Sequence, residues 1–430
     1  MKKRIFAGIL AVIMASGCLA GCGGSKKDAE NGNDGGKTIN ILMEDVADTE
    51  IVKNHVEEFE EETGITVNIE TIGYSSMHEK LLTQMISAAN AYDVVVVDCY
   101  WVGEFTKAGW LEDLGPYIEE SGFDTSQYLD SMMDMVGQVD GTTYMIPFYN
   151  YMMSLIYRTD LMENEELKAA YQAQNGEELQ MPKDLEGYVE LCKWMTSQDT
   201  GVTGVVMQGA RPDPTVVEWC NYLFSCGGDF YDENGEIIIN NEQAVKALDL
   251  YVDNMTNAAP EGSKGFGFDE AFNVFAQGDA FSYITYNWMI PKLNNADESS
   301  VSGQVELIPI PEGISLNAGW GWGIPVNAAN KDLAWEFIQW IESSEMAKER
   351  ALEGGSPTRK DVMTDPEVLE AYPYLETVNE VMETSKMIPI MEDATQLVEV
   401  LGREISLTVA GDKSSQEALD TVAEEMSGMN

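Results

Sequence analysis

The sequence predicts an α/β protein built from two units, each with a central sheet flanked by helices. Two observations carry this prediction: strand and helix patterns alternate in residues 39–98 and again in residues 185–255, and extended aromatic segments join the two regions more than once. The chain of 430 residues is long enough for two or three domains at roughly 150 residues per domain.

The first unit begins with a strand–helix–strand–helix–strand pattern. Apolar residues alternate in residues 65–69, which predicts a strand, and recur at helical spacing in residues 50–62 and 77–89, which predicts two helices. The strand at 39–43 precedes them, and four consecutive valines at 94–97 predict a strand buried on both faces. This order is typical of a mostly parallel sheet.

The second unit follows an extended aromatic segment at residues 144–157. Its predicted helices span 185–197, 216–226 and 242–255. A second extended aromatic segment covers 280–288, and the chain beyond residue 331 reads as largely helical.

The amino terminus carries the features of an export signal. A basic start at residues 2–4 precedes an apolar run at 5–15, which is shorter than the roughly 20 residues that span a bilayer. Leu19, Ala20, Gly21 and Cys22 resemble the lipobox of bacterial lipoproteins. The resemblance implies a signal peptide at 1–21, diacylglycerol on the thiol of Cys22, and a flexible lipidated linker at 22–37. The alternative is an ordinary secretory signal cut at Cys18 or later.

The net charge and the spacing of cysteine and histidine argue against some classes of partner and cofactor. The net charge is −49, from 74 acidic and 25 basic residues, so the surface repels nucleic acid and anionic lipid head groups. There is no Cys-x-x-Cys pair and no Cys/His cluster with zinc spacing, so we expect no metal and no cofactor. Whether Cys220 pairs with Cys226 stays open.

Seven segments, in order along the chain, resemble one family. These segments are residues 39–64, 74–95, 109–114, 140–148, 319–326, 356–359 and 410–411. Together they are similar to the family 1 extracellular solute-binding proteins of bacterial ABC importers, the carbohydrate-binding branch that includes maltodextrin-binding proteins. With a lipobox, this layout is common in Gram-positive bacteria.

The resemblance implies a type II periplasmic-binding-protein-like fold with two lobes and three crossings between them. We expect the N-terminal lobe to hold residues 38–148 and 288–320, and the C-terminal lobe to hold 150–285 and 323–430. It also implies a monomer, anchored by lipid on the outer face of the cell membrane. This protein would capture an oligosaccharide, sugar or sugar alcohol and deliver it to membrane permease subunits driven by a cytoplasmic ATPase.

Two other functions remain open from the residues. An extracellular glycoside hydrolase needs two suitably spaced carboxyl groups, which 74 acids could supply, although no local motif supports it. A polyamine receptor would suit an acidic, tryptophan-lined cleft. We expect no catalytic residues.

Candidate ligand-binding residues follow from the chemistry of carbohydrates. Carboxylates, amides and arginine bond hydroxyl groups, and aromatic faces cover C–H surfaces. Strand ends of the first unit supply Glu44, Asp45, Tyr74, Ser75, Asp98, Tyr100 and Trp101. The crossings supply Tyr149, Asn150, Tyr286, Trp288, Trp320 and Trp322. The resemblance adds Trp219 and Arg359, and Asp229 is a weaker candidate.

Several of these candidates could instead stabilise the protein without contacting a ligand. Asp98 could cap the following helix and Trp101 could pack in the core. The crossing aromatics could be hinge packing, and we expect one of Trp320 and Trp322, rather than both, to stack on the ligand.

Overall fold

The computed structural model describes residues 37–87, 89–311 and 313–429. The predicted signal peptide, the lipidation site Cys22 and all of the predicted linker except Lys37 lie outside the described residues. No helix in the described ranges is long and apolar enough to cross a membrane. No disulfide joins Cys220 to Cys226 in this part of the chain.

Nine strands form two sheets. They are β1 (Thr38–Glu44), β2 (Thr66–Ile72), β3 (Val94–Asp98), β4 (Gln138–Val139), β5 (Thr142–Thr143), β6 (Met145–Arg158), β7 (Ser282–Tyr286), β8 (Val305–Ile308) and β9 (Asn317–Gly323). The short β4 and β5 pair only with each other, and the other seven strands form the main sheet.

Helices cover both the first and the last parts of the described chain. Those before the middle of the chain are α1 (Ala47–Thr63), α2 (Tyr74–Ser87), α3 (Val102–Lys107), α4 (Gly115–Ser121), α5 (Asp130–Met132), α6 (Thr159–Met162), α7 (Glu165–Asn175), α8 (Leu185–Thr196) and α9 (Asp213–Ser225). A π-helical turn, Met133–Gly137, continues α5. Those after it are α10 (Glu242–Asn257), α11 (Phe268–Ala276), α12 (Met289–Leu293), α13 (Lys331–Ile341), α14 (Ser344–Leu352), α15 (Lys360–Met363), α16 (Pro366–Ala371), α17 (Tyr374–Met382), α18 (Ala394–Val409) and α19 (Ser415–Met426).

The α/β class is confirmed, but the main sheet is mixed rather than mostly parallel. Its order is β2-β1-β3-β9-β6-β7, with β8 also paired to β6. β1 runs parallel to β2 and β3, as the βαβαβ pattern predicted. β9 runs antiparallel to both β3 and β6, and β6 runs antiparallel to β7 and β8. The two long aromatic segments form strands β6 and β7 of this sheet. Both strands pair only in antiparallel orientation, so the sheet as a whole is mixed.

β6 connects the two halves of the sheet. Its first part, Met145 to Met152, pairs with β9, and its second part, from Met153 onward, pairs with β7 and β8. Every residue from Met145 to Ile156 is buried. The single segment that the sequence predicted as one crossing is therefore a continuous strand shared by both halves.

Later segments of the chain lie beside different parts of the sheet. β8 pairs with Leu155–Arg158 of β6, so residues 305–308 lie beside the second part of that strand. The side chain of Asn330 donates to the carbonyl of Thr38, and α13 packs against α1 and β1. Residues 330–341 therefore lie beside the first strand and the first helix.

The last helices pack against the second part of the sheet and its helices. α17 packs against β6 and β8, and α18 packs against α9. Residues 283–288 form the end of β7 and the turn that leads into α12.

Candidate functional site

A cavity lies where strands β1 and β3 end and where β6, β7 and β9 pass close by. It contains about 570 Å³ of empty space, part of it open to solvent. Its lining consists of Glu44, Val46, Tyr74, Asp98, Tyr100, Tyr151, Asp213, Val217, Phe268, Tyr286, Trp288, Ala318 and Trp320. We refer to this set as the acidic aromatic cavity.

Seven of the predicted candidates line this cavity. They are Glu44, Tyr74, Asp98, Tyr100, Tyr286, Trp288 and Trp320. Trp101 lines an adjoining cavity that shares Tyr74, Tyr100 and Asp213 with the first. Carboxyl ends of neighbouring parallel strands meet at one edge of a sheet, which explains why Glu44 and Asp98 come together.

Other predicted candidates lie in the core instead. Trp322 is fully buried, donates its indole N–H to Glu342 at 2.8 Å, and packs 4.1 Å from Phe148 between ring centroids. Arg359 bonds both carboxylate oxygens of Asp361 and the carbonyl of Glu342. These side chains are used within the protein and do not line the cavity.

Trp219 and Asn150 also lie away from the lining. Trp219 is fully buried on α9, and Asn150 is 1% exposed, with its amide nitrogen 3.5 Å from the sulfur of Met382. Tyr149 lies behind the cavity, where its hydroxyl donates to Glu44 at 2.9 Å. It positions a lining carboxyl group rather than lining the cavity itself.

Asp229 and Asp45 are not among the residues that line the cavity. Asp229 is paired with Lys386 at 2.7 Å, and Asp45 is exposed beyond the end of β1. Ser75 lies on α2, directly after Tyr74.

Six lining residues were not predicted from the sequence. They are Val46, Tyr151, Asp213, Val217, Phe268 and Ala318. Tyr151 follows Tyr149 by two residues on β6, so strand periodicity could have placed both on one face. Asp213 begins α9, where an acidic residue is common in any helix, and Phe268 begins α11, so neither position carries a local signal of ligand binding.

Burial perturbs the three lining carboxyl groups in the same direction. It raises the pKa of Glu44 to about 8, against the opposing hydrogen bond from Tyr149. It raises the pKa of Asp98 to about 7, although the backbone N–H of Tyr100 donates to that carboxyl group at 3.1 Å. Burial, assisted by the nearby charge of Glu399, raises the pKa of Asp213 to about 6.

Aromatic rings form two groups around these carboxyl groups. Tyr74 stacks on Trp101 with 5.6 Å between centroids and 18° between planes, and Trp320 meets both rings edge-on at 5.9 and 5.4 Å. In the second group, Tyr151 lies 6.2 Å from Tyr286 and 5.8 Å from Trp288. The hydroxyl of Tyr100 is buried without a hydrogen-bond partner in the described residues.

The lining is poor in hydrogen-bond donors. Among the described residues that line this cavity there is no lysine, arginine, histidine, asparagine or glutamine. Carboxylates can only accept hydrogen bonds, so tyrosine hydroxyls, tryptophan N–H groups and any protonated carboxyl groups supply the side-chain donors.

One cluster elsewhere has the composition of a metal site. His55 and Glu58 on α1 and Glu349 on α14 place one ligand atom each within 4.8 Å of one another. His55 is 2.9 Å from Glu353, and the glutamates are exposed, so this cluster places one histidine among glutamates where two surface helices meet.

Comparison with known proteins identifies a matching family model and relatives that align over most of the chain. Residues 44–348 match the family model of the bacterial extracellular solute-binding proteins. A curated relative, named as a probable amino-acid ABC transporter periplasmic-binding protein of Sinorhizobium fredii, is 24% identical and is aligned over 89% of this chain and 87% of its own.

Two solved structures share the fold at similar identity. A solute-binding protein of Agrobacterium radiobacter in complex with ribitol is 25% identical, with a TM-score of 0.80 over 91% of this chain and 98% of its own. The maltose-bound MalE3 of T. maritima is 27% identical, with a TM-score of 0.81 over 91% of this chain and 99% of its own.

Proposed function

The chain belongs to the bacterial extracellular solute-binding proteins, and from this premise we propose that it binds a carbohydrate in the acidic aromatic cavity for an ABC importer. The ligand class is a sugar, a sugar alcohol or a short oligosaccharide. The observation that carries the proposal is the combination of two groups of aromatic rings with carboxyl groups at the strand ends. Rings cover C–H surfaces and carboxyl groups bond hydroxyls, which are the two surfaces a carbohydrate presents.

The similar structures with ribitol and maltose support a carbohydrate. The name of the Sinorhizobium relative points instead to an amino acid. An amino acid carries a carboxylate, which needs a cation or a set of donors, and the lining offers neither a base nor an amide. The lining therefore favours the carbohydrate.

We place the two lobes by strand pairing. The first comprises β1–β3, β9 and α13–α15, and the second comprises β7, β8, α9–α12 and α17–α19, with β6 shared. The cavity draws residues from both, so ligand binding would draw the lobes together by a hinge motion at β6. The closed form would dock on the permease subunits.

Attachment to the membrane is a separate part of the proposal. A lipid on Cys22 followed by the Gly-rich segment up to Lys37 would hold the protein outside the cell on a tether. In the native host, Cys22→Ser should release the protein into the medium, and fatty-acid labelling should fail for this variant alone. Labelling that survives the substitution would contradict the anchor.

The binding test is a thermal-shift and calorimetry screen of the purified protein against sugars, sugar alcohols and oligosaccharides. A carbohydrate that raises the melting temperature and binds one-to-one supports the proposal. Absence of binding across the screen contradicts it. Release of new reducing ends from an oligosaccharide would instead favour a glycoside hydrolase, which the carboxyl groups that line the cavity could serve.

A further inference from the structure

We propose that the ligand carries a positively charged amino group, as amino sugars and amino sugar alcohols do, and that Glu44, Asp98 and Asp213 hold this ammonium. The inference rests on the proposed function and names the substrate class of the same cavity. Three independent features of the lining support it: its charge, its rings and an unsatisfied hydroxyl.

The charge of the lining is entirely negative. Glu44, Asp98 and Asp213 line the cavity, and no lysine, arginine or histidine of the described chain forms an ion pair with any of them. Asp98 is only 2% exposed. A carboxylate withdrawn from water without a cation is unfavourable, so a ligand ammonium would supply the partner that the protein lacks.

The groups around these carboxyl groups do not provide that partner. Asp48 and Asp45 add negative charge near Glu44, and Glu399 adds it near Asp213. His78 in the adjoining cavity is occupied by Glu104 at 2.8 Å. Lys292 lies 5.1 Å from the centroid of Trp288, and its ammonium is not among the groups that line the cavity.

The rings suit a cation as well as a C–H surface. Seven of the thirteen lining residues are aromatic, and the faces of Trp and Tyr attract an ammonium electrostatically within about 6 Å. Rings alone would fit any carbohydrate. Rings combined with three carboxyl groups and no base favour a charged one.

The unsatisfied hydroxyl is the third feature. Tyr100 is 5% exposed, its hydroxyl has no partner within the described residues, and it belongs to the lining. A buried polar group normally has a hydrogen-bond partner. A ligand N–H or O–H group would satisfy it.

Proton linkage gives the proposal a distinctive signature. Burial raises the pKa of Glu44 to about 8 and that of Asp98 to about 7, so both are partly protonated near neutrality. An adjacent ammonium favours the ionised form, so binding should release protons. Affinity for an amine should therefore rise between pH 6 and pH 8, by up to about tenfold per pH unit for each proton released.

The experiment compares matched pairs of ligands by calorimetry at several pH values. Each pair consists of an amine and its parent alcohol, such as D-glucamine with D-sorbitol and D-glucosamine with D-glucose, extended across stereoisomers. We expect the amine of the best-binding pair to bind at least tenfold more tightly than its parent, with proton release. A parent that binds as well as its amine overturns the inference while leaving the proposed function intact.

Two further outcomes separate the inference from the function on which it rests. If no member of any pair binds, both fail. If spermidine binds and every amino sugar fails, the carbohydrate function fails, and the inference as stated fails with it.

Variants test the position of the ammonium. Asp98→Asn should weaken binding of the amine at least tenfold more than it weakens binding of the parent alcohol, because it removes the charge while the asparagine oxygen can still accept from the N–H of Tyr100. Glu44→Gln should act similarly and can still accept from Tyr149. Asp199→Asn, an exposed aspartate outside the lining, is the matched control and should change neither. Equal weakening of both ligands by Asp98→Asn would overturn the inference.

Discussion

At the scale of single residues, Glu342 shows how a charge is accommodated in the core. It is fully buried and accepts hydrogen bonds from Trp322 at 2.8 Å, from Arg350 at 2.7 Å and from Tyr128 at 3.2 Å. Burial raises its pKa, and the neighbouring Arg350 opposes that rise. Arg350 therefore offsets part of the unfavourable free energy of burying this carboxylate.

Removing that arginine should destabilise the protein strongly. We expect Arg350→Met to lower the free energy of unfolding by about 3–5 kcal/mol, because Glu342 is left without its cation. Lys168→Met is the control, since its pair with Glu165 is exposed and should contribute less than about 1 kcal/mol. Urea denaturation measures both, and similar losses for the two variants would contradict this account.

The tryptophans should divide into binding and structural residues. Trp288 is half-buried and lines the cavity, so Trp288→Ala should weaken ligand binding about tenfold or more with a small loss of stability. Trp219→Ala removes a fully buried side chain and should lower the free energy of unfolding by about 3–5 kcal/mol. Calorimetry and urea denaturation distinguish these effects, and an unaltered affinity in Trp288→Ala would remove this residue from the site.

At the scale of elements, β9 explains why only one of its two tryptophans lines the cavity. Trp320 and Trp322 are two residues apart and share a face of the strand. Trp320 pairs with Asp98, the last residue of β3, whereas Trp322 pairs with Val96, deeper in the sheet. The expectation that one of the pair would meet the ligand depends on register, which the local sequence does not encode.

The other face of β9 carries glycines, and residues of the π-helical turn and of β6 pack closely against them. A Cβ atom on Gly319 would lie 2.3 Å from a methyl carbon of Val136, and one on Gly321 would lie 2.7 Å from the Cβ of Met145. The absence of side chains at these positions therefore accommodates protein atoms.

Substitution on this face should therefore affect stability. We expect Gly319→Ala to cost about 1–3 kcal/mol, since Val136 must move to admit the added methyl group. Gly265→Ala is the matched control, because nothing lies within 4 Å of its added Cβ. Thermal and urea denaturation measure the difference, and equal stability of the two variants would contradict the close packing.

Local patterns predicted the first half of the sheet well. The valines of β3 are fully buried, as their apolar run indicated, and β1 lies between β2 and β3. The pairing of β8 with β6 joins segments that are about 150 residues apart in the sequence, and no local pattern predicted it. Periodicity identifies a strand but not its distant partner.

At the scale of the whole molecule, the cavity combines residues that the sequence could and could not identify. Glu44 and Asp98 were found because parallel strands end at one edge. Asp213 and Phe268 come from helices α9 and α11, whose position over that edge depends on tertiary packing alone. The charge of the site, with three acids and no base among its described lining, follows only from the assembled fold.

Those acids should make the unliganded protein less stable as the pH rises. Burial raises the pKa of Glu44, Asp98 and Asp213 above their unfolded values near 4. The folded state therefore binds more protons than the unfolded state between about pH 4 and pH 8, and stability falls across this window. Self-repulsion from a net charge of −49 acts in the same direction, so the wild-type curve alone cannot isolate the cavity.

Comparing two variants isolates the contribution of a cavity carboxyl group to the pH dependence of stability. Asp98→Asn removes a carboxyl group whose ionisation is unfavourable in the fold, so it should gain stability relative to wild type on going from pH 5 to pH 8, on the order of 3 kcal/mol. Asp199→Asn removes the same charge from an exposed position and should run parallel to wild type. Urea denaturation at intervals of half a pH unit measures both curves. If Asp98→Asn also runs parallel to wild type, the carboxyl group of Asp98 is not perturbed by burial, and the expected proton release on binding an amine loses one of its two sources.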